Sequence, residues 1–218
     1  MPHRLEGSLA DPEPLPTLLD PGLVFRVAAL FVPAAAVGTL GHELGHWGAA
    51  WLMGCAPVLH FASVSPTCPP ELSEALRHVS VAAGPLSSIL TGCLGMGLLH
   101  AWRAGARRLD LTGALWSMLA LFWSRPLFNL LAHALTVGLQ GEAPERFIRS
   151  DESRLSLYLG LGPFTLSVAA AACSLLVCLW VAWRIPQPDR IGWLTGAVIG
   201  ALLGFALWMT SIGPMLLP

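Results

Sequence analysis

Leu23–Met53 reads LVFRVAALFVPAAAVGTLGHELGHWGAAWLM, a run in which Arg26 and Glu43 are the only residues from the Asp, Glu, Lys and Arg set. About twenty apolar residues span a bilayer, so this stretch predicts a membrane helix with length to spare. Pro33 inside it predicts a tilt or kink, and Gly54 just after it predicts a C-terminal stop. The same stretch holds His42-Glu43-Leu44-Gly45-His46. A carboxylate between two imidazoles in an apolar helix costs several kcal/mol unless something compensates it, so the cluster points to function.

Four further apolar stretches of spanning length lie at about 79–102, 111–139, 162–183 and 191–215. The fold class expected is therefore an all-α membrane protein of about five transmembrane helices. Residues 1–21, rich in Pro and acidic side chains, are expected to be a disordered tail ahead of a polytopic membrane domain over 22–218. Composition agrees: 55% of the 218 residues are hydrophobic and 11% charged, a balance unsuited to a soluble globule of this size. The net charge is −1 and every basic residue is Arg, which leaves no basic face for a nucleic-acid backbone. Among the five cysteines no CxxC spacing occurs, so neither a thiolate zinc site nor a disulfide framework is indicated. Cys55 and Cys68 flank one loop and are expected to pair only if that loop faces an oxidising compartment. Within it, Val58, His60, Ala62 and Val64 alternate as a short strand or re-entrant edge does.

Five spans put the loops at 103–110 and 184–190 on one side with the N-terminus, and those at 54–77 and 140–154 on the other. Trp102, Trp180, Trp183 and Trp193 fall on the first side, as an interfacial belt requires. Arg103, Arg107, Arg108, Arg184 and Arg190 fall there too, against Arg77, Arg146, Arg149 and Arg154 opposite, a small bias toward a cytoplasmic N-terminus.

Residues four apart on an α-helix share a face, so both imidazoles of the pentapeptide can approach one Zn²⁺. Glu43 stands about 100° round the helix from His42, beside such an ion, where it is a candidate general base and then general acid. The chain's own His and Glu frequencies give about 0.01 accidental occurrences of this pattern.

The motif, followed after a loop by Ala83-Gly84-Pro85-Leu86-Ser87-Ser88 at the start of the second span, resembles the site-2 protease group of intramembrane zinc metalloproteases. That group's second core helix begins with a Gly-Pro motif that usually ends in Asn, where this chain has Ser88. Phe128-Asn129-Leu130-Leu131 is similar to the start of its third core helix, with Ala132 in place of a Pro. Ser150-Asp151-Glu152-Ser153-Arg154-Leu155 is similar to the Ser-Asp-Gly-x-Arg-Leu form of its ligand element, with Glu152 in place of Gly. The resemblance covers about residues 30–165 and implies a three-helix core within 22–165, further C-terminal helices over 162–217, and one Zn²⁺. It also implies hydrolysis of transmembrane protein or peptide substrates, in a cytoplasmic membrane of bacterial type, with the centre nearer the cytoplasmic face.

Hydrolytic zinc takes three protein ligands and keeps one position open. With His42 and His46, Asp151 is the first candidate for the third, because it follows the third span on the side to which the motif's helix points. Glu142, His133 and Glu152 are the alternatives, and Asp151 also suits a helix N-cap or first turn. Arg125, Asn129 and His133 form an i, i+4, i+8 row that should face the bundle interior. The resemblance assigns Asn129 to the substrate backbone; Arg125 suits a substrate carboxylate, a developing oxyanion or a structural acid. Pro126 predicts a break in the ladder beside them. A catalytically inactive relative, acting as a metal- or partner-binding module, is the alternative function.

Overall fold

A computed structural model describes residues 19–140 and 150–217. Most of the tail expected over 1–21 lies outside the described residues, and so does Glu142.

Helix α1 (Pro21–Leu52) starts where the Asp20 carboxylate accepts from the amides of Gly22 and Leu23, with Pro21 in the first turn. It ends where Gly54 adopts φ +79°, which lets the Gly54 and Cys55 amides return to the carbonyls of Trp51 and Ala50. The reversal feeds an antiparallel hairpin of β1 (Ala56–His60) and β2 (Ser63–Thr67). The alternation read in the sequence is thus a two-stranded element, closed at its open end by a Cys55–Cys68 disulfide. Its turn is anchored at the far end of the chain: the Trp208 indole donates to the Phe61 carbonyl, and the Phe61 amide to that of Leu217.

Helix α2 (Glu74–Arg103), capped by Ser73, returns antiparallel to α1. Gly45 of α1 meets the Ala83 carbonyl and Ser87 hydroxyl, an approach only a residue without a side chain permits. Then come α3 (Leu111–Ala120), a 3-10 turn (Leu121–Ser124) and α4 (Arg125–Gln140). The single apolar stretch expected at 111–139 is therefore three pieces. Pro126 has no amide to offer the preceding turn, and the ladder tightens just before it.

After α5 (Asp151–Tyr158), α6 (Thr165–Arg184) recrosses the bundle and a short 3-10 turn (Gln187–Asp189) leads into α7 (Arg190–Leu207). A π-helical turn (Trp208–Ile212) and a last helical turn, α8 (Gly213–Leu216), complete the chain as described. Gly192, Gly196, Gly200 and Gly204 form one stripe of α7 and lie directly on α1 between Leu23 and Val32, so the two helices run parallel.

Among the described residues, four helical segments are long and apolar enough to cross a membrane: α1, α2, α6 and Gln187–Leu216. Large apolar side chains such as Phe25, Leu52, Leu90 and Leu176 point outward, a pattern consistent with a multi-pass membrane protein. The buried apolar core, with Leu23, Val27, Phe31, Leu99, Val181 and Trp193, occupies the half of the bundle around the start of α1. Trp193 is 2% exposed and donates to the Ser117 hydroxyl, so it belongs to that core and not to an interfacial belt. Trp183 is the exposed member of the expected group.

Candidate metal centre

The polar site fills the other half of the bundle. His42, Glu43 and His46 are buried, at 2%, 3% and 9% exposure, on the last three turns of a helix that is otherwise apolar. Helical spacing brings His42 Nε2 and His46 Nε2 to 3.1 Å. Asp151 Oδ2 joins them, 2.9 Å from the first and 3.1 Å from the second. Asp151 is the first residue of α5, whose N-cap is Ser150. Stacking of His78 on Tyr158 and donation from the Leu166 amide to Ser156 Oγ hold that short helix against its neighbours.

The protons on the two rings decide what this triangle can hold. His46 Nδ1 lies 2.8 Å from the Ser80 carbonyl, which can only accept, so Nδ1 carries the proton and Nε2 of the neutral ring presents a lone pair. His42 Nδ1 lies 3.1 Å from Ser88 Oγ, and donation to that hydroxyl leaves its Nε2 bare as well. Two nitrogen lone pairs and a carboxylate oxygen then converge with nothing positive between them. A proton can bridge one edge of such a triangle, whereas a divalent cation satisfies all three. Zinc bonds of about 2.0–2.2 Å in tetrahedral geometry imply donor separations of about 3.3 Å, a few tenths of an ångström wider than those here. His42, His46 and Asp151 can thus hold a metal ion.

Burial pushes the Asp151 carboxyl up, but donation from an imidazole Nε2 that carries the bridging proton outweighs it and holds the group ionised, well below the usual carboxylate range. Burial raises the Glu152 carboxyl above the usual carboxylate range.

Glu43 stands beside the cluster without joining it. Its Oε1 accepts from Arg125 Nη2 at 3.3 Å, while Arg125 Nη1 is buried with no hydrogen-bond partner among the described residues. A cavity of about 440 Å³ is lined by Glu43, His46, Asp151, Arg125 and Asn129, and by the hairpin residues Ala62–Val64. A second, mainly apolar groove of about 540 Å³ runs between α7 and the α3–α4 segment. Arg125, Asn129 and Ala62 line both, so a polar chamber and a groove of lipid character meet at these side chains.

Of the alternatives for the third ligand, Glu152 borders the chamber but lies outside the cluster, and His133 is apart from it, stacked on Phe164. Ser80, Gly84 and Ser88 went unassigned in the sequence, yet they form an i, i+4, i+8 stripe of α2 facing the motif. Ser80 and Ser88 orient the imidazoles, and any Cβ at Gly84 would strike the His46 ring. That small-residue spacing opposite a His-Glu-x-x-His helix was the available signal.

No protein-family model, curated protein or solved structure matches the chain.

Proposed function

We propose that the chain is an intramembrane zinc metallopeptidase that hydrolyses peptide bonds of membrane-embedded or membrane-proximal substrates. One observation carries the reading: three donor atoms converge within 3.1 Å, beside a second acidic group, Glu43, that the cluster does not use. A site for storing metal has no need of that carboxylate, whereas hydrolysis needs a base. In this reading α3, the 3-10 turn and α4 act together as a fifth, kinked crossing.

His42, His46 and Asp151 would hold the ion, which when bound supplies Lewis acidity toward a water and the substrate carbonyl. Ser88 and the Ser80 carbonyl keep the two rings aimed. Arg125 fixes Oε1 of Glu43, leaving Oε2 to take the proton of the attacking water and pass it to the leaving amine. Asn129, facing chamber and groove alike, meets the backbone of a substrate strand where it leaves the apolar groove. The chamber provides the water route that a low-dielectric site requires.

The Glu43–Arg125 pair favours a second reading, a metal-binding module without turnover, because it occupies one oxygen of the base. Metal content by mass spectrometry, with cleavage of a panel of transmembrane peptides by wild type and Glu43→Gln, separates the two. The peptidase retains about one zinc in both proteins and cleaves only as wild type. Equal cleavage by both removes Glu43 from the chemistry, and cleavage by neither favours the binding module.

A further inference from the structure

Helix directions assign every described connection to one of two ends of the bundle. Since α2 is antiparallel and α7 parallel to α1, one end gathers the start of α1 and the links at 103–110 and 184–190. Polar contacts agree: Arg184 of α6 donates to the His100 carbonyl of α2, and Arg108 forms an ion pair with Asp189 just ahead of α7. The opposite end gathers the hairpin, α5 with Asp151, and the last turn at Leu217. The metal cluster and its chamber belong to that second end.

Two independent features give these ends a sidedness. Pairing of Ala56 with Thr67 closes the hairpin ladder, and the next residues outward, Cys55 and Cys68, are bonded. Glutathione and thioredoxin keep cytosolic thiols reduced, so a structural disulfide belongs to an oxidising compartment. It forms part of the site itself, because Cys68 lines the chamber. The remaining cysteines, Cys93, Cys173 and Cys178, are free and lie in helices. Arginine runs the same way. Arg26, Arg103, Arg107, Arg108, Arg184 and Arg190 stand at the first end, whereas among the described residues Arg77 and Arg154 stand at the second and Arg125 lines the chamber; the sequence adds Arg146 and Arg149 between α4 and α5, so the bias is small. Excess Arg near short loops marks the cytoplasmic face.

We infer that the His42/His46/Asp151 chamber opens on the oxidising, non-cytoplasmic side of the membrane, and that its substrates present their scissile segment there. This is opposite to the sidedness the sequence resemblance implied. The substrate half rests on the peptidase reading; the sidedness does not.

Reporter fusions to the full chain test the sidedness: alkaline phosphatase, active only where disulfides form, and a fluorescent protein that matures only in the cytoplasm. Phosphatase active after Pro218 and fluorescence from an insertion at 105–106 are the expected results. Cells lysed in alkylating agent should yield the Cys55 and Cys68 peptides linked. Fluorescence after Pro218, with both thiols alkylated, would overturn the inference. For substrates, two single-span proteins with one scissile segment placed on either side are compared in cells carrying wild type or Glu43→Gln. Cleavage by wild type of the non-cytoplasmic version alone is expected, and cleavage of the cytoplasmic version overturns the substrate half. With the reporters as expected, cleavage of neither overturns the substrate half and the peptidase reading while the sidedness stands.

Discussion

The Ser80 carbonyl accepts the Nδ1 proton of His46 at 2.8 Å, so a backbone atom of α2 decides which nitrogen of an α1 histidine is free to bind metal. Tautomer and ring orientation are set together, as is usual for histidine ligands whose second nitrogen is hydrogen-bonded. Ser88 performs the same task for His42 through a side chain, which makes it open to mutation.

Ser88→Ala should therefore weaken zinc binding about 10- to 100-fold while the protein still folds. Titration with a competing chelator, alongside thermal unfolding in detergent, reads both quantities. Affinity equal to wild type would show that α1 packing alone orients the ring.

Asp151→Asn keeps the shape of the third donor but removes its charge. Zinc affinity should fall on the order of 100-fold or more, since a ligand counts for at least as much as the residues behind it. Unchanged stoichiometry in mass spectrometry would shift the assignment to Glu152 or Glu142.

Arg125→Gln removes the donor that fixes Glu43 Oε1. Peptide cleavage should fall about 100-fold through misplacement of the base, with metal content intact. Partial recovery in Arg125→Lys would identify the charge as what matters; cleavage at the wild-type rate in the Gln variant would free Glu43 from this dependence.

Gly200 lies against the Ala28 carbonyl and the Phe31 side chain, with no room for a Cβ. Gly200→Val should cost about 1–3 kcal/mol or more as α7 is forced off α1. Denaturant unfolding in detergent measures it. Gly97→Val, at a position where a Cβ meets nothing, serves as the control.

Much of this fold was legible because helices of membrane-spanning length and apolarity write themselves into composition. The apolar runs at 23–53, 79–102, 162–183 and 191–215 all coincide with long helices. The stretch at 111–139 misled because hydropathy does not register a missing amide, although Pro126 stood in plain view. Trp193 misled for a related reason: position along a span says which end a residue occupies, not whether it faces lipid or protein. At the centre, the i, i+4 histidines could be read from helical geometry alone. Asp151, more than a hundred residues away, was reachable only through the order of the spans together with the resemblance. The Ser80 carbonyl has no sequence signature, since every residue carries one.

The four-glycine stripe has a mechanical consequence. Backbones pressed together along α1 and α7 form a stiff chassis, with α2 bolted to it through Gly45 and Gly84. Helix α4 leans mainly on α6, and its Phe128 touches Phe205 of α7 edge to face at a ring separation of 4.8 Å. Compliance is thus concentrated along one seam of the bundle, the seam occupied by the apolar groove. Breathing motions should widen that seam while the two imidazoles, riding on the chassis, keep their aim.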